Sequence, residues 1–380
     1  MKVFCLVWLV VFLFIPLSSE ALALGGYNKT IFSLFPNPRA KSYYIALNRQ
    51  RFDIKESINP YLSAEVIVDN EAVIGPFLRK KEFDAFKKTR LAAPVNNAIT
   101  VVDSSLVFDR LVFHRFSAMV ANDPYVVTLG HQRVALGRGT FYSPTDYFNP
   151  ANPLSIENER AGFQGINFLG YNNEFSFFQI IGSLDRDWKL NRYALKYQAN
   201  VKAIDVAFMV GKNASSAIIG GDSAINLYDG VMRIESLIYL TDPNVDLIIN
   251  YDRSFGEGWY GLVEYIYHSG GESDRKRVVG GIVQPVLPAR VRSSTVGLWQ
   301  PLARYYLGTS ISKQITPLMG ISFSLLTSLV DNSMFVNANI LNNLAANWDL
   351  QAGGTVSIGD RTTEFGQYSG FYFSSLQFSF

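Results

Sequence analysis

The chain has 380 residues, a formal charge of +2, 14% aromatic residues and 17% charged ones. So near-neutral a balance offers no electrostatic footprint for nucleic acid, and the charged share lies below the roughly 25% of soluble domains. The single cysteine is Cys5, which leaves the rest of the chain without disulfides, thiolate metal sites or cysteine nucleophiles.

Residues 1–23, MKVFCLVWLVVFLFIPLSSEALA, carry Lys2, an apolar run from Val3 to Pro16 and a closing Ala21-Leu22-Ala23. That order of charge, apolar core and small-x-small end reads as a secretory signal peptide cleaved after Ala23. The run is shorter than the ~20 residues of a spanning helix. Residues 24–380 are then the functional unit. No stretch in it is apolar for long enough to cross a bilayer as a helix, although 48% of the chain is apolar. The apolar residues must be interleaved with polar ones.

The interleaving has period two. Strands are expected near 42–48, 59–69, 105–117, 124–136, 160–170, 174–182, 192–201 and 203–211, and again near 231–240, 245–252, 258–268, 302–313, 318–327, 333–340, 347–358 and 368–380. In NWDLQAGGTVSI, 347–358, one face reads Trp348, Leu350, Ala352, Gly354, Val356 and Ile358, and the other is Asn, Asp, Gln, Gly, Thr and Ser. Tyr193, Leu195, Tyr197, Ala199 and Val201 repeat the theme, followed after a tight turn by Val206, Phe208 and Val210. Strands with one face in lipid and one in water alternate in this way, and rings at their ends suit the aromatic girdles of the two membrane interfaces. The expectation is an all-β transmembrane antiparallel barrel of 14–16 strands. Counting strand directions back from Phe380 conflicts with the tight turn near 202 unless a further strand lies in 212–230.

Between the strands, RKKEFDAFKKTR at 79–90 reads as a short amphipathic helix on Phe83 and Phe86, either solvated or a basic element near a pore or lipopolysaccharide phosphates. The stretch GGDSAINLYDG, 220–230, lacks the alternating carboxylates of a calcium loop. His114, His131 and His268 show no metal-ligand spacing, so neither metal nor cofactor is expected. His268 precedes Ser269, which would point to the opposite face of its strand; a hydrolase needs the two together.

The longest irregular stretch is GRGTFYSPTDYFNPANP, 137–153. Its prolines and glycines forbid helix or ladder strand. Gly137 and Gly139 allow positive φ or close approach to a wall, and Pro144, Pro150 and Pro153 stiffen the loop. Arg133, Arg138 and Arg160, with Asp146, Glu157 and Glu159, supply charges of both signs. Arg133, Arg138, Asp146, Glu157 and Arg160 are the site candidates, either lining a pore constriction or bracing the loop between its strands.

The segment 131–153 resembles one found in porin-like outer-membrane proteins of Gram-negative bacteria, including alginate-export-type barrels. The matching residues are Gly130, Gln132, Arg133, Gly137, Gly139, Pro144, Thr145, Asp146, Asn149 and Pro150, with Leu136 and Ser143 standing where that family has tryptophan and asparagine. The last strand, ending Leu376, Phe378, Phe380, resembles the terminal strand read by the barrel-assembly machinery. The resemblance implies a non-enzymatic channel for small hydrophilic solutes, held in outer-membrane lipid and lipopolysaccharide. A barrel lipid hydrolase and a plugged, adhesin-like barrel are the alternatives.

Overall fold

The computed structural model describes residues 22–36, 42–79, 83, 95–150, 152–154, 160, 162–241, 243–274, 299, 301–367 and 370–380. In chain order the strands are β1 (Leu22–Phe35), β2 (Tyr43–Asn59), β3 (Leu62–Ile74), β4 (Ala98–Asp103), β5 (Val107–Asn122), β6 (Tyr125–Gln132), β7 (Phe163–Asn173), β8 (Ser176–Leu184), β9 (Leu190–Val201) and β10 (Ile204–Asn213). They continue with β11 (Ser216–Leu227), β12 (Gly230–Tyr239), β13 (Asn244–Phe255), β14 (Trp259–His268), β15 (Tyr305–Thr316), β16 (Met319–Ser328), β17 (Met334–Ala345), β18 (Trp348–Ile358) and β19 (Phe371–Ser379). Each pairs antiparallel with the next around the ring, β3 with β5, and β19 closes on β1. Setting β4 aside, the nineteen strands leave an eighteen-strand closed barrel.

The expected count of 14–16 is therefore corrected to eighteen, and two strands account for the shortfall. Strand β1 begins at Leu22, within the last two residues of the leader-like sequence, and its outward Asn28 and Thr30 interrupt the apolar alternation. Strand β11 opens on Ser216 and places Gly221 and Ser223 outward, so it carries little apolar signal. It lies inside 212–230, where the direction count required a strand. Residues 1–21 fall outside the described residues, as do 80–82, 84–94 and Glu157.

The alternation itself runs as expected. Tyr193, Leu195, Tyr197, Phe208, Val263, Phe323, Trp348 and Val356 are exposed on the outer face, while the neighbouring positions bury polar groups such as Lys196, Asp222, Asn250 and Glu264. Aromatic pairs ring both ends: Phe32–Tyr44 and Tyr267–Tyr305 at one, Trp348–Phe378 and Phe255–Trp259 at the other. Turns such as Lys202-Ala203 and Tyr228-Asp229 hold both residues at positive φ, the twist that two-residue hairpins need. Such tight turns share one rim with Phe380, whereas the opposite rim carries the long connections.

At one place the wall changes hands. Strand β5 pairs with β6 over Phe116–Asn122 and with β4 over Phe108–Val112, along the same edge. Strand β6 stops at Gln132 because the chain leaves the wall there, and β4 takes over the vacated ladder. Gln132 closes the break, donating from Nε2 to the carbonyls of Thr128 (3.0 Å) and Gly165 (3.2 Å). From this point the chain enters the barrel.

Candidate functional site: a loop inside the barrel

Residues 133–150 run through the lumen. Val134 and Leu136 turn toward β7–β12 and pack with Phe163, Ile181, Met209, Ile218 and Leu237. Arg133 and Ala135, one position out of phase, are exposed. Phe141 enters a second apolar cluster with Leu262, Ile266, Tyr306 and Phe365. The stretch thus has a wall side and an open side.

What holds it against the wall is a pair of buried carboxylates. Glu235 on β12 accepts the backbone N–H of Arg138 (2.7 Å), Gly139 (2.9 Å) and Thr145 (2.8 Å), together with the hydroxyls of Thr145 (2.7 Å) and Ser143 (2.9 Å). Glu264 on β14 accepts the N–H of Thr140 (2.6 Å), Phe141 (2.9 Å) and Tyr142 (3.0 Å), and the amide of Asn250 (3.1 Å). Successive backbone N–H groups curled around an anion form a nest; here the anion is a side chain of the barrel. A hydrogen bond to a charged group is worth about 1.5–3 kcal/mol, so several per glutamate fix the loop firmly.

The two glycines make this curl possible. Gly137 has φ 71°, and a Cβ there would lie 2.2 Å from Ser143 Oγ and 2.5 Å from Glu235 Oε1. At Gly139 a Cβ would meet the Tyr142 carbonyl oxygen at 1.7 Å and Ile248 Cδ1 at 2.6 Å.

The rest of the loop is bolted to β9 and to its own return. The Tyr147 hydroxyl donates to the Tyr193 carbonyl (2.8 Å), and Arg192 Nη1 donates back to the Tyr147 carbonyl (2.8 Å). Asn149 Nδ2 donates to the Val134 carbonyl (2.7 Å). Asp146 is fully buried and pairs with Arg160. Burial pushes its carboxyl up to about 7, against the opposing pull of Arg160.

The sequence candidates therefore separate. Asp146 and Arg160 meet inside the loop's own fold. Arg138 reaches the opposite way, to Asp222 on β11 (2.5 Å) and Asp205 on β10 (3.5 Å). There a cavity of about 400 Å³ is lined by Arg138, Asn200, Asp205 and Arg233. Arg133 is exposed and makes no ion pair among the described residues. Glu157 lies outside the described residues. Glu235 and Glu264, which carry the loop, are absent from the sequence candidates. Their only signal is a lone acid at an inward position between apolar ones, as in RIESLIY and LVEYIYH.

The other lumenal wall is charged as well. On β2, β3 and β5, Arg49 and Arg110 both pair with Glu71 (2.9 and 2.6 Å), and Arg51 pairs with Asp69 (2.6 Å). Near the rim of long connections, His268 Nδ1 lies 2.5 Å from Asp246 Oδ1, whose other oxygen accepts the Tyr142 hydroxyl (2.8 Å). Ser269 Oγ instead accepts the Val245 N–H (2.6 Å). No serine hydroxyl bonds His268 among the described residues. On the basic stretch 79–90, Phe83 is buried against Phe77 and Phe108 within the barrel. The helix expected over 79–90 falls, apart from Arg79 and Phe83, outside the described residues.

No family model matches this chain, and no curated protein does. Solved structures do. OccAB1 of Acinetobacter baumannii is 8% identical over 95% of this chain and 98% of its own, with a TM-score of 0.58. The outer membrane protein OprD of Pseudomonas aeruginosa is 7% identical over 95% of each chain, TM-score 0.55. OccK2 (OpdF) of the same organism, solved with glucuronate, is 8% identical over 95% and 97%, TM-score 0.55. At such identities the likeness establishes a shared fold.

Proposed function

We propose that this chain is an outer-membrane channel that passes small hydrophilic solutes through a lumen narrowed by residues 133–150. The observation that carries the reading is the loop held inside the barrel by Glu235 and Glu264, beneath an outer face suited to lipid. A closed barrel with a polar interior is the architecture of diffusion pores, and charged side chains around a constriction set selectivity. The shared fold with OprD supports the outer membrane as its location. On this reading residues 1–23 are the removed leader, 24–380 the barrel, and Phe380, at the rim of tight turns, the assembly signal.

Within that function the site residues take different parts. Arg133 is exposed and Arg138 lines the cavity beside Asp205, so in this reading both act on the permeating solute. Asp146 and Arg160 brace the loop. The neighbour solved with glucuronate favours an anionic, saccharide-like solute. Single-channel recording in planar bilayers tests the proposal. Folded protein should open discrete steps, and Arg133→Ala should move the reversal potential in a salt gradient toward cation preference. A folded barrel that stays silent at every voltage would sink it.

A further inference from the structure

The outer face of the barrel is not uniform. On β1, β2, β3 and β5 the register places Asn28, Thr30, Asn48, Gln50, Asn70 and Asp109 on one side of the sheet. That side is the outer one. It also carries the exposed Phe32, Tyr44 and Phe52, while Arg49, Glu71 and Arg110 are buried on the other. The six residues form a connected patch. Asn48 Nδ2 donates to Asn28 Oδ1 (3.0 Å) and Thr30 Oγ1 (2.9 Å), and Asn70 Nδ2 donates to Asp109 Oδ1 (2.7 Å).

The patch lies mid-wall, between Phe52 toward the rim of tight turns and Tyr44 toward the other. Around the remaining strands, outward amides and charges sit near strand ends, as Lys212, Arg253, Lys313 and Asn342 do. Side-chain amides facing hydrocarbon have no partners beyond one another, and polar side chains at membrane depth mark protein contacts rather than lipid. Four neighbouring strands at ~4.8 Å spacing give a face about 20 Å wide. Beside the amides stand Gly26, Ala46 and Ala72, small enough for another backbone to come close.

We propose that this face is a two-fold contact between two copies of the chain in the membrane, an inference that rests on the barrel spanning a bilayer. The chemistry selects a second copy. An amide offers a donor and an acceptor together, so a patch of amides complements itself. No other outer stretch of the described wall could answer it at the same depth, so the contact is face to face. An isologous contact of this kind closes at two. Asn48, bonded to two patch members and flanked by Gln50, lies near its centre.

Cysteine cross-linking in isolated outer membranes tests this, using the full chain carrying Cys5→Ser. Asn48→Cys should give, on oxidation, a species of twice the barrel's mass. Ile234→Cys, on β12 across the ring, should give none. The triple variant Asn28→Leu, Asn48→Leu, Gln50→Leu should run as a single barrel in mild detergent, still heat-modifiable. Its conductance step per barrel should be unchanged, which separates this contact from the channel reading. Equal cross-linking at both cysteines, cross-linking of Asn48→Cys to a species of another mass, or a leucine variant that stays paired would each overturn it.

Discussion

The two lumenal walls solve one problem in different ways. Both bury carboxylates away from bulk water, where a lone charge is costly. On β2, β3 and β5 the answer lies within the sheet: Arg49 and Arg110 flank Glu71, and Arg51 meets Asp69 across neighbouring strands. On β12 and β14 no ion pair reaches Glu235 or Glu264 among the described residues; the backbone of 138–145 supplies most of the donors. The first wall is self-sufficient and can stand beside open lumen. The second is complete only with the loop on it, which makes the loop part of the barrel's stability.

The sharpest way to break this comparison is to remove the acids that need the loop. Glu235→Ala with Glu264→Ala strips the acceptors from six backbone N–H groups (Arg138, Gly139, Thr145, Thr140, Phe141 and Tyr142). Each buried donor left unpaired costs about 1–3 kcal/mol, so the loop should come off the wall. Limited proteolysis should cut within 137–145, a site protected in the unaltered protein. On the self-paired wall, Glu71→Ala leaves Arg49 and Arg110 buried without their shared partner. Breaking a buried pair costs about 3–5 kcal/mol, which should lower the heat-modification midpoint while leaving 137–145 protected. If that loop became cleavable too, the walls would not be independent.

Smaller changes sharpen the picture. Gly137→Ala asks a Cβ to share space with Ser143 and Glu235 at positive φ. Such strain costs about 1–3 kcal/mol, so protection of the loop should weaken and conductance become noisier. The smallest effect is a pH dependence. Asp146 holds its proton up to about 7 in the folded loop, against an ordinary 3.8. Between those values the folded state binds a proton that the unfolded chain has lost, so stability from this group falls as pH rises through the window. Loop protection should decline from about pH 4 to about pH 7, and Asp146→Asn should flatten that decline; a slope unchanged in the variant would remove Asp146 as its cause.

Much of the fold is legible in the alternation, because period two is imposed directly by a wall that is apolar outside and polar inside. It fails where that rule is broken for another reason. Asn28 and Thr30 hide β1, and Gly221 and Ser223 hide β11. The loop announces itself through Gly137, Gly139 and its prolines, and the need for glycine there is what the geometry shows. Its anchors do not announce themselves. Glu235 and Glu264 lie about a hundred residues away in sequence, and only the ring closure and strand register bring them under the loop's N–H groups. Arg138 reads as a loop-internal partner in sequence, yet its side chain pairs with Asp222 on β11, the cross-strand neighbour of Glu235, for the same reason.

The central claim is that solutes pass a lumen whose width is set by the loop on Glu235 and Glu264. Single-channel conductance of the unaltered chain beside Glu235→Ala/Glu264→Ala measures it directly. The account predicts discrete openings in the former and a several-fold larger step in the latter, as the freed loop leaves the lumen. Equal steps in two folded barrels, or no openings in either, would contradict it.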